Sequence, residues 1–180
     1  MKKSFTLIEL LVVIGLISLV SSSVIGVYLG GIRTQRKVLE TQEVLSEINY
    51  ALEYMGRAIR MAKKDDVTIG GQTNNCCQHD NKINYCTTSQ GILFRNSRNE
   101  CQKFYLSDNA IWEEIVGTST LPLTSTSSMK ITSLKFNIAG APQGDGLQPR
   151  VTIFIEAETK GGKKIRFQTT ISQRDLDVTE

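Results

Sequence analysis

The chain has 180 residues, a formal net charge of +3 and a hydrophobic content of 40%. That length suits one globular domain with an appendage. The small positive charge argues against a nucleic-acid-binding protein, whose cations cluster along one face. The one local cluster of cations flanks a Gly-Gly turn, and we interpret it as the solvated tip of a hairpin. Its members are Lys160, Lys163, Lys164 and Arg166.

An apolar run extends from Phe5 to Ile32, after two lysines and a serine at the N-terminus. As a helix, Phe5–Leu29 would be about 37 Å long, which is enough to cross a bilayer. Glu9 is the one charged residue within the run. Because a carboxylate inside a membrane helix is costly, we interpret Glu9 as a functional residue that needs a cationic partner.

The segment Lys2–Ile14 resembles the class III signal of type IV prepilins and type II secretion pseudopilins. The resemblance implies that residues 1–4 are a leader, that prepilin peptidase cleaves between Ser4 and Phe5, and that Phe5 is then N-methylated. The family usually has Gly where this chain has Ser4. The resemblance also implies that Glu9 pairs with the Phe5 ammonium of a neighbouring subunit, which would fix the axial offset between subunits.

The same resemblance places the N-terminus in the cytoplasm and the head outside it, followed by incorporation into a pilus or pseudopilus. The implied partners are prepilin peptidase, other pilin or pseudopilin subunits and inner-membrane lipid. Gly26, Gly30 and Gly31 favour equally a close approach between membrane helices and a local unwinding of the helix, as in filaments of this family. A secretory signal cleaved near Ser23 is an alternative to the membrane helix.

Residues 33–64 are predicted to continue the helix, since no proline interrupts them. Apolar side chains recur there at spacings of three and four, and charged side chains occupy the other side. The stripe is short for a coiled coil, so we expect it to pack on a sheet of the same chain. Its members are Leu45, Ile48, Ala51, Leu52, Met55, Ala58, Ile59 and Ala62.

Residues 65–180 are predicted to form a globular, β-rich head. The polar segment Thr118–Ser128 is predicted to be a loop, and the tail Gln173–Glu180 is expected to fray. Lys160–Gly162 should close the clearest hairpin, in which alternating apolar residues of the two strands face each other. The predicted strands are Val67–Ile69, Ile92–Phe94, Lys103–Leu106, Ala110–Ile115, Lys130–Ile138, Arg150–Glu158 and Lys163–Ser172.

Four cysteines, Cys76, Cys77, Cys86 and Cys101, lie in a polar stretch of this head. An even number of cysteines downstream of an export signal favours disulfides. Adjacent cysteines rarely pair with each other, so two arrangements stay open: 76–86 with 77–101, or 76–101 with 77–86. Free thiols and a metal site with His79 are alternatives, although Cys-Cys-x-His lacks the spacing of structural zinc sites.

No catalytic motif is recognisable outside the N-terminal signal, so we predict neither an enzyme nor a cofactor. Asp145 lies in a Gly-Asp-Gly sequence that resembles part of a calcium loop. A calcium ion needs six to eight oxygen ligands, and one carboxylate falls far short of that number. We therefore predict no metal site.

The predicted fold is α+β, with a long N-terminal helix packed on an antiparallel sheet, as in pilins. The segment Ala51–Ala62 is similar to the equivalent helix of J-type pseudopilins and W-type minor pilins. The resemblance implies a structural subunit, a minor pilin or pseudopilin, of a type IV pilus, competence pseudopilus or type II secretion filament. The alternatives are a membrane-anchored extracytoplasmic binding domain that does not polymerise, and a secreted enzyme.

Overall fold

One long helix precedes the strands of the chain, in an α+β arrangement like that of pilins. The structure is a computed structural model that describes residues 6–65, 68–69, 72–73, 76–77, 83–89, 91–143 and 145–174. Helix α1 spans Leu7–Arg60. The chain divides into two compact units, Met1–Thr41 and Gln42–Glu180.

In the second unit, α1 buries one face in a hydrophobic core that both larger sheets share. The expected packing of this helix on the chain's own sheets is therefore confirmed, and it follows from the spacing of three and four. At the start of the stripe Val44 lies in the core, whereas the predicted Leu45 is only half-buried. The buried residues of this face are Val44, Ile48, Ala51, Met55 and Ile59, and Ala62 is buried just after the helix.

The helix ends at Arg60, four residues before the predicted Lys64. The helix ends there because the backbone after Arg60 forms hydrogen bonds to other parts of the chain. The Lys63 N–H donates to the carbonyl of Arg95 at 3.0 Å and so forms a bridge to a strand instead of continuing the helix. The Ile59 carbonyl, which the Lys63 N–H would otherwise reach, accepts bonds from the Ala62 N–H and the Tyr85 hydroxyl.

A five-stranded antiparallel sheet has the order β3-β4-β5-β6-β7, and a separate β1-β2 pair precedes it. The residues 107–110 form the tight turn between β5 and β6, with positive φ angles of 49° at Asp108 and 60° at Asn109, which these two residue types tolerate. The bounds are β1 Thr68–Ile69, β2 Gln72–Thr73, β3 Tyr85–Thr88, β4 Gly91–Arg95, β5 Cys101–Ser107, β6 Ala110–Ile115 and β7 Ser119–Pro122.

The prediction of a loop over Thr118–Ser128 is wrong for part of this segment, because β7 lies inside it. All four residues of β7 are exposed, so the strand lacks the alternation that sequence patterns detect. Its backbone pairs with β6, from Ser119 opposite Ile115 to Pro122 opposite Trp112.

A three-stranded antiparallel sheet has the order β10-β9-β8. Its strands are β8 Met129–Ala139, β9 Arg150–Thr159 and β10 Lys164–Ser172. The predicted facing of β9 and β10 is confirmed, since Ile171 pairs with Val151 and Phe167 pairs with Ile155.

The predicted fraying is wrong for the first two residues of the tail. Gln173 is buried, and its side-chain amide donates to the Ala62 carbonyl at 3.0 Å. The Arg174 N–H donates to the Arg60 carbonyl at 2.8 Å. These bonds satisfy carbonyl groups at the end of α1 that have no partner within the helix. Residues 175–180 lie outside the described part of the chain.

A buried ion pair connects Asp65, just after the helix, with Arg95 at the end of β4. Arg95 Nη2 lies 2.9 Å from Asp65 Oδ1, and both side chains are at most 2% exposed. The same carboxylate accepts the backbone N–H groups of Cys76 and Cys77 at 3.0 and 2.8 Å. Four donors from two segments thus converge on one carboxylate, and they fix the start of the cysteine-rich segment.

Two disulfides connect Cys76 to Cys101 and Cys77 to Cys86. This is one of the two arrangements that the sequence left open. The first bridge ties the segment to β5 and the second ties it to β3. The smaller loop, closed by Cys77 and Cys86, lies within the larger loop closed by Cys76 and Cys101.

A fragment that starts at Arg33 is expected to be soluble and monomeric, with these two disulfides intact, because it lacks the apolar segment. Taken singly, the bridges are expected to contribute about 3.5 kcal/mol for the separation of 25 residues and about 2.6 kcal/mol for that of 9. The loops are nested, so removal of both should cost less than the sum. Peptide mapping without reductant and urea denaturation of paired Cys→Ser variants provide the measurements. Four free thiols, or bound zinc, would contradict this expectation.

Replacing Asp65 with Asn in this fragment is expected to lower the free energy of unfolding by about 3–5 kcal/mol, because the buried Arg95 charge loses its counter-ion. A matched control is Glu53→Gln, which removes a carboxylate from the Glu53–Arg57 pair, whose side chains are 75% exposed. An i,i+4 pair of that kind contributes about 0.3–0.5 kcal/mol. Urea denaturation measures both variants, and equal losses would refute the role assigned to Asp65.

Candidate membrane and assembly site

The first turn of α1 is closed by reciprocal hydrogen bonds between Thr6 and Glu9. The backbone N–H and the hydroxyl of Thr6 donate to Glu9 Oε2 at 3.0 and 2.9 Å. In return, the Glu9 N–H donates to Thr6 Oγ1 at 3.4 Å. This is a capping box, which satisfies backbone donors that the first turn of a helix leaves unpaired. The Thr-x-x-Glu spacing is the sequence signal that would have predicted it.

Within a single chain, the Glu9 carboxylate has a structural role as part of the capping box. A negative charge in the first turn is stabilised by the positive end of the helix dipole. An unpaired backbone N–H is also costlier in lipid than in water, where solvent can accept its hydrogen bond. A carboxylate has about four lone-pair sites, and Thr6 occupies two of them with its two donors. Glu9 therefore retains acceptor capacity for a cation.

The first unit exposes a continuous apolar surface on α1. Its large apolar side chains from Leu7 to Leu29 are 46–82% exposed. Within the described residues, α1 is the one helix long and apolar enough to cross a membrane, with a mean hydropathy of 2.5 over its most apolar window. So much apolar surface is unfavourable in water, so lipid or other apolar helices must cover it.

Polar side chains inside the apolar segment bond to the helix itself. The hydroxyl of Ser18 donates to the Gly15 carbonyl at 2.8 Å, and the hydroxyls of Ser22 and Ser23 donate to the Leu19 carbonyl at 2.9 and 3.1 Å. These serines present little unpaired polarity to an apolar environment.

The glycines of this segment are not required by any close contact within the chain. A Cβ atom added to Gly26, Gly30 or Gly31 would meet nothing within 4 Å, and the helix is continuous through all three. A reason for glycine there must therefore come from neighbouring molecules or from another conformation.

The predicted site residues are distributed as follows. Ser4, Phe5 and His79 lie outside the described residues, and Glu9 caps the helix with Thr6. The Asp145 carboxylate accepts the Leu147 N–H at 2.8 Å and thereby supports a loop turn. Among the described residues, no group of three or more His, Cys, Asp and Glu side chains is placed to hold a metal ion.

A polar cluster in the head was missed by the sequence analysis. The Tyr54 hydroxyl donates to the buried Glu113 carboxylate at 2.9 Å, and the side-chain amide of Gln102 donates to the same group. Burial and the bond to Glu113 raise the pKa of Tyr54 to about 12. The hydroxyl therefore stays protonated as a donor near neutral pH, which suits a structural contact between α1 and the five-stranded sheet.

Comparison with known proteins gives one match, at the N-terminus. Residues 1–25 match the prokaryotic N-terminal methylation motif. Searches of curated proteins and of solved structures return no significant match. From Leu7 to residue 25 the matched motif coincides with the apolar start of α1, and it includes the capping box; this indicates membrane anchoring and processing by prepilin peptidase. On this evidence the chain carries a type IV prepilin-like signal on a pilin-like α+β fold.

Proposed function

We propose that this protein is a minor pilin or pseudopilin, a structural subunit of a type IV pilus, competence pseudopilus or type II secretion filament. The observation that carries the proposal is the methylation motif over residues 1–25, on an exposed apolar helix. A filament is one way to cover that apolar surface once a subunit leaves the bilayer. Residues 5–32 would form the filament core, residues 33–64 the connecting helix, and residues 65–180 the head.

In this proposal, prepilin peptidase cuts between Ser4 and Phe5 and removes the leader of residues 1–4. The new Phe5 ammonium, which is N-methylated, pairs with Glu9 of a neighbouring subunit. The spare acceptor capacity of the Glu9 carboxylate supports such a pair, since Thr6 supplies neutral donors only. A wrong axial offset would leave both charges unpaired in an apolar environment, so the pair selects one register.

Mass spectrometry of the mature N-terminus is expected to show methylated Phe5 in cells that contain prepilin peptidase. We expect Ser4→Gly to be processed at least as fast as the native chain and Ser4→Leu to stay uncut, because a small side chain must fit beside the cleaved bond. An intact Met1 would instead favour a membrane anchor that does not polymerise, and a start near Ser23 a secretory signal. Equal processing of all three chains would contradict the proposed cut site.

Glu9→Gln is expected to insert into the membrane normally and yet to be depleted from filaments. Glutamine preserves the capping box with Thr6 but removes the charge that would pair with the Phe5 ammonium. Thr6→Val is the matched control, since it removes the capping hydroxyl and leaves the Glu9 carboxylate in place. Immunoblotting of membrane and sheared-filament fractions measures both variants. Normal incorporation of Glu9→Gln, or equal depletion of the two variants, would argue against the charge pair.

A further inference from the structure

The outer side of β10 carries unpaired backbone groups. Thr159 bonds to Lys163, and Gln173 bonds to Pro149, so hydrogen-bonded pairs alternate along the ladder between β9 and β10. By this alternation the N–H and C=O groups of Arg166, Gln168 and Thr170 point away from β9. Within the described chain they have no hydrogen-bond partner.

The other sheet edges are shorter or irregular. Strand β7 is four residues long and ends at Pro122, and β3 is also four residues long. Strand β8 has a register shift between Ile131 and Ser133. Strand β10 has nine residues, no proline and an unbroken register with β9. A long, regular edge of this kind is a template for an added strand.

A groove of about 590 Å³ lies between β10 and one side of α1, within the second unit. Leu52, Met61, Phe167 and Ile171 give it apolar walls. An extended segment paired with β10 would direct alternate side chains into this groove, because successive residues of a strand point to opposite faces. Main-chain hydrogen bonds would then supply affinity, and the groove would select apolar side chains at every second position.

The surroundings of the groove are positively charged. Glu53, Arg57 and Arg60 all line it; Glu53 and Arg57 neutralise each other in an ion pair at 3.0 Å, whereas Arg60 is exposed and makes no ion pair within the described chain. On the outer face of β10, Lys164 and Arg166 share the single carboxylate of Glu156, at 3.9 and 2.9 Å. Arg174 follows β10 at the end of the groove nearest Met61, where its guanidinium lies 4.0 Å from the Met61 sulfur. This balance of charge favours an acidic partner.

We propose that β10 and the groove bind an extended, acidic segment of another protein chain, which adds an antiparallel or parallel fourth strand to the three-stranded sheet. Apolar side chains of the segment occupy the groove, while its carboxylates lie beside Arg60 and Arg166. This inference goes beyond the proposed function, because it requires neither cleavage of the leader nor a filament.

The test uses the full chain in nanodiscs of uncharged phosphatidylcholine. The probe is a fluorescent acetylated peptide amide, Glu-Val-Glu-Ile-Glu-Glu, and its matched control replaces every Glu with Lys. Anisotropy is expected to show saturable binding of the acidic peptide and at least tenfold weaker binding of the basic one. Amide hydrogen exchange is expected to slow over Lys164–Ser172 in the complex.

Two pairs of variants measure separately how much charge and how much strand pairing contribute to peptide binding. Arg60→Glu is expected to weaken binding about two- to fivefold, within the range for loss of an exposed ion pair, whereas Lys130→Glu on the opposite edge should have little effect. Gln168→Pro removes an outward N–H and should weaken binding at least tenfold, whereas Gln168→Thr keeps the N–H and should bind normally. Retention of both disulfides and of the melting temperature shows that each variant is folded.

Equal binding of the acidic and basic peptides would overturn the proposal. The same holds for binding without protection of Lys164–Ser172, or for full binding by a folded Gln168→Pro chain. Binding that appears only after residues 175–180 are deleted would assign the groove to the chain's own tail and would likewise overturn the proposal of an outside partner.

Discussion

The head depends on the buried carboxylate of Asp65. Transfer of two charges from water into a protein interior costs several kcal/mol for each ion, which the attraction between them offsets only with good geometry and further hydrogen bonds. Asp65 meets this condition, since it accepts bonds from Arg95 and from two backbone N–H groups. Arg95 also donates to the Asn99 carbonyl at 2.9 Å.

The ion pair between Asp65 and Arg95 therefore positions several parts of the head. The Lys63 N–H bonds to the Arg95 carbonyl, so the point where α1 ends is tied to β4. The bonds from Cys76 and Cys77 to Asp65 hold the two cysteines beside the strands that carry their partners. The disulfides then restrict the unfolded chain, whereas the bonds to Asp65 position Cys76 and Cys77 in the folded chain.

Periodic features of the fold could be predicted from the sequence. The buried stripe of α1 and the facing of β9 and β10 follow from spacings of three to four and of two, which depend on local geometry alone. Val44 was missed because Leu45, next to it, fits the same stripe nearly as well. Strand β7 was not predicted because all of its residues are exposed, so its sequence shows no alternation of apolar and polar residues.

Long-range polar contacts could not be predicted in this way. Asp65 and Arg95 are separated by 30 positions, and Tyr54 and Glu113 by 59. From the sequence, a charged or hydroxyl-bearing side chain is predicted to be solvated unless its partner is known, and the partner depends on the completed fold. The capping box of Thr6 and Glu9 is different, because it spans three positions and its pattern is local.

That capping box also bears on the charge pair proposed for assembly. Bonds from the Thr6 N–H and hydroxyl, together with the positive end of the helix dipole, partly compensate the Glu9 carboxylate within a single chain. These donors are neutral, so the carboxylate of an isolated subunit still lacks an opposite charge. In an assembled filament, the Phe5 ammonium of a neighbouring subunit would provide the Glu9 carboxylate with a full opposite charge. The gain in interaction energy would favour assembly over the isolated subunit.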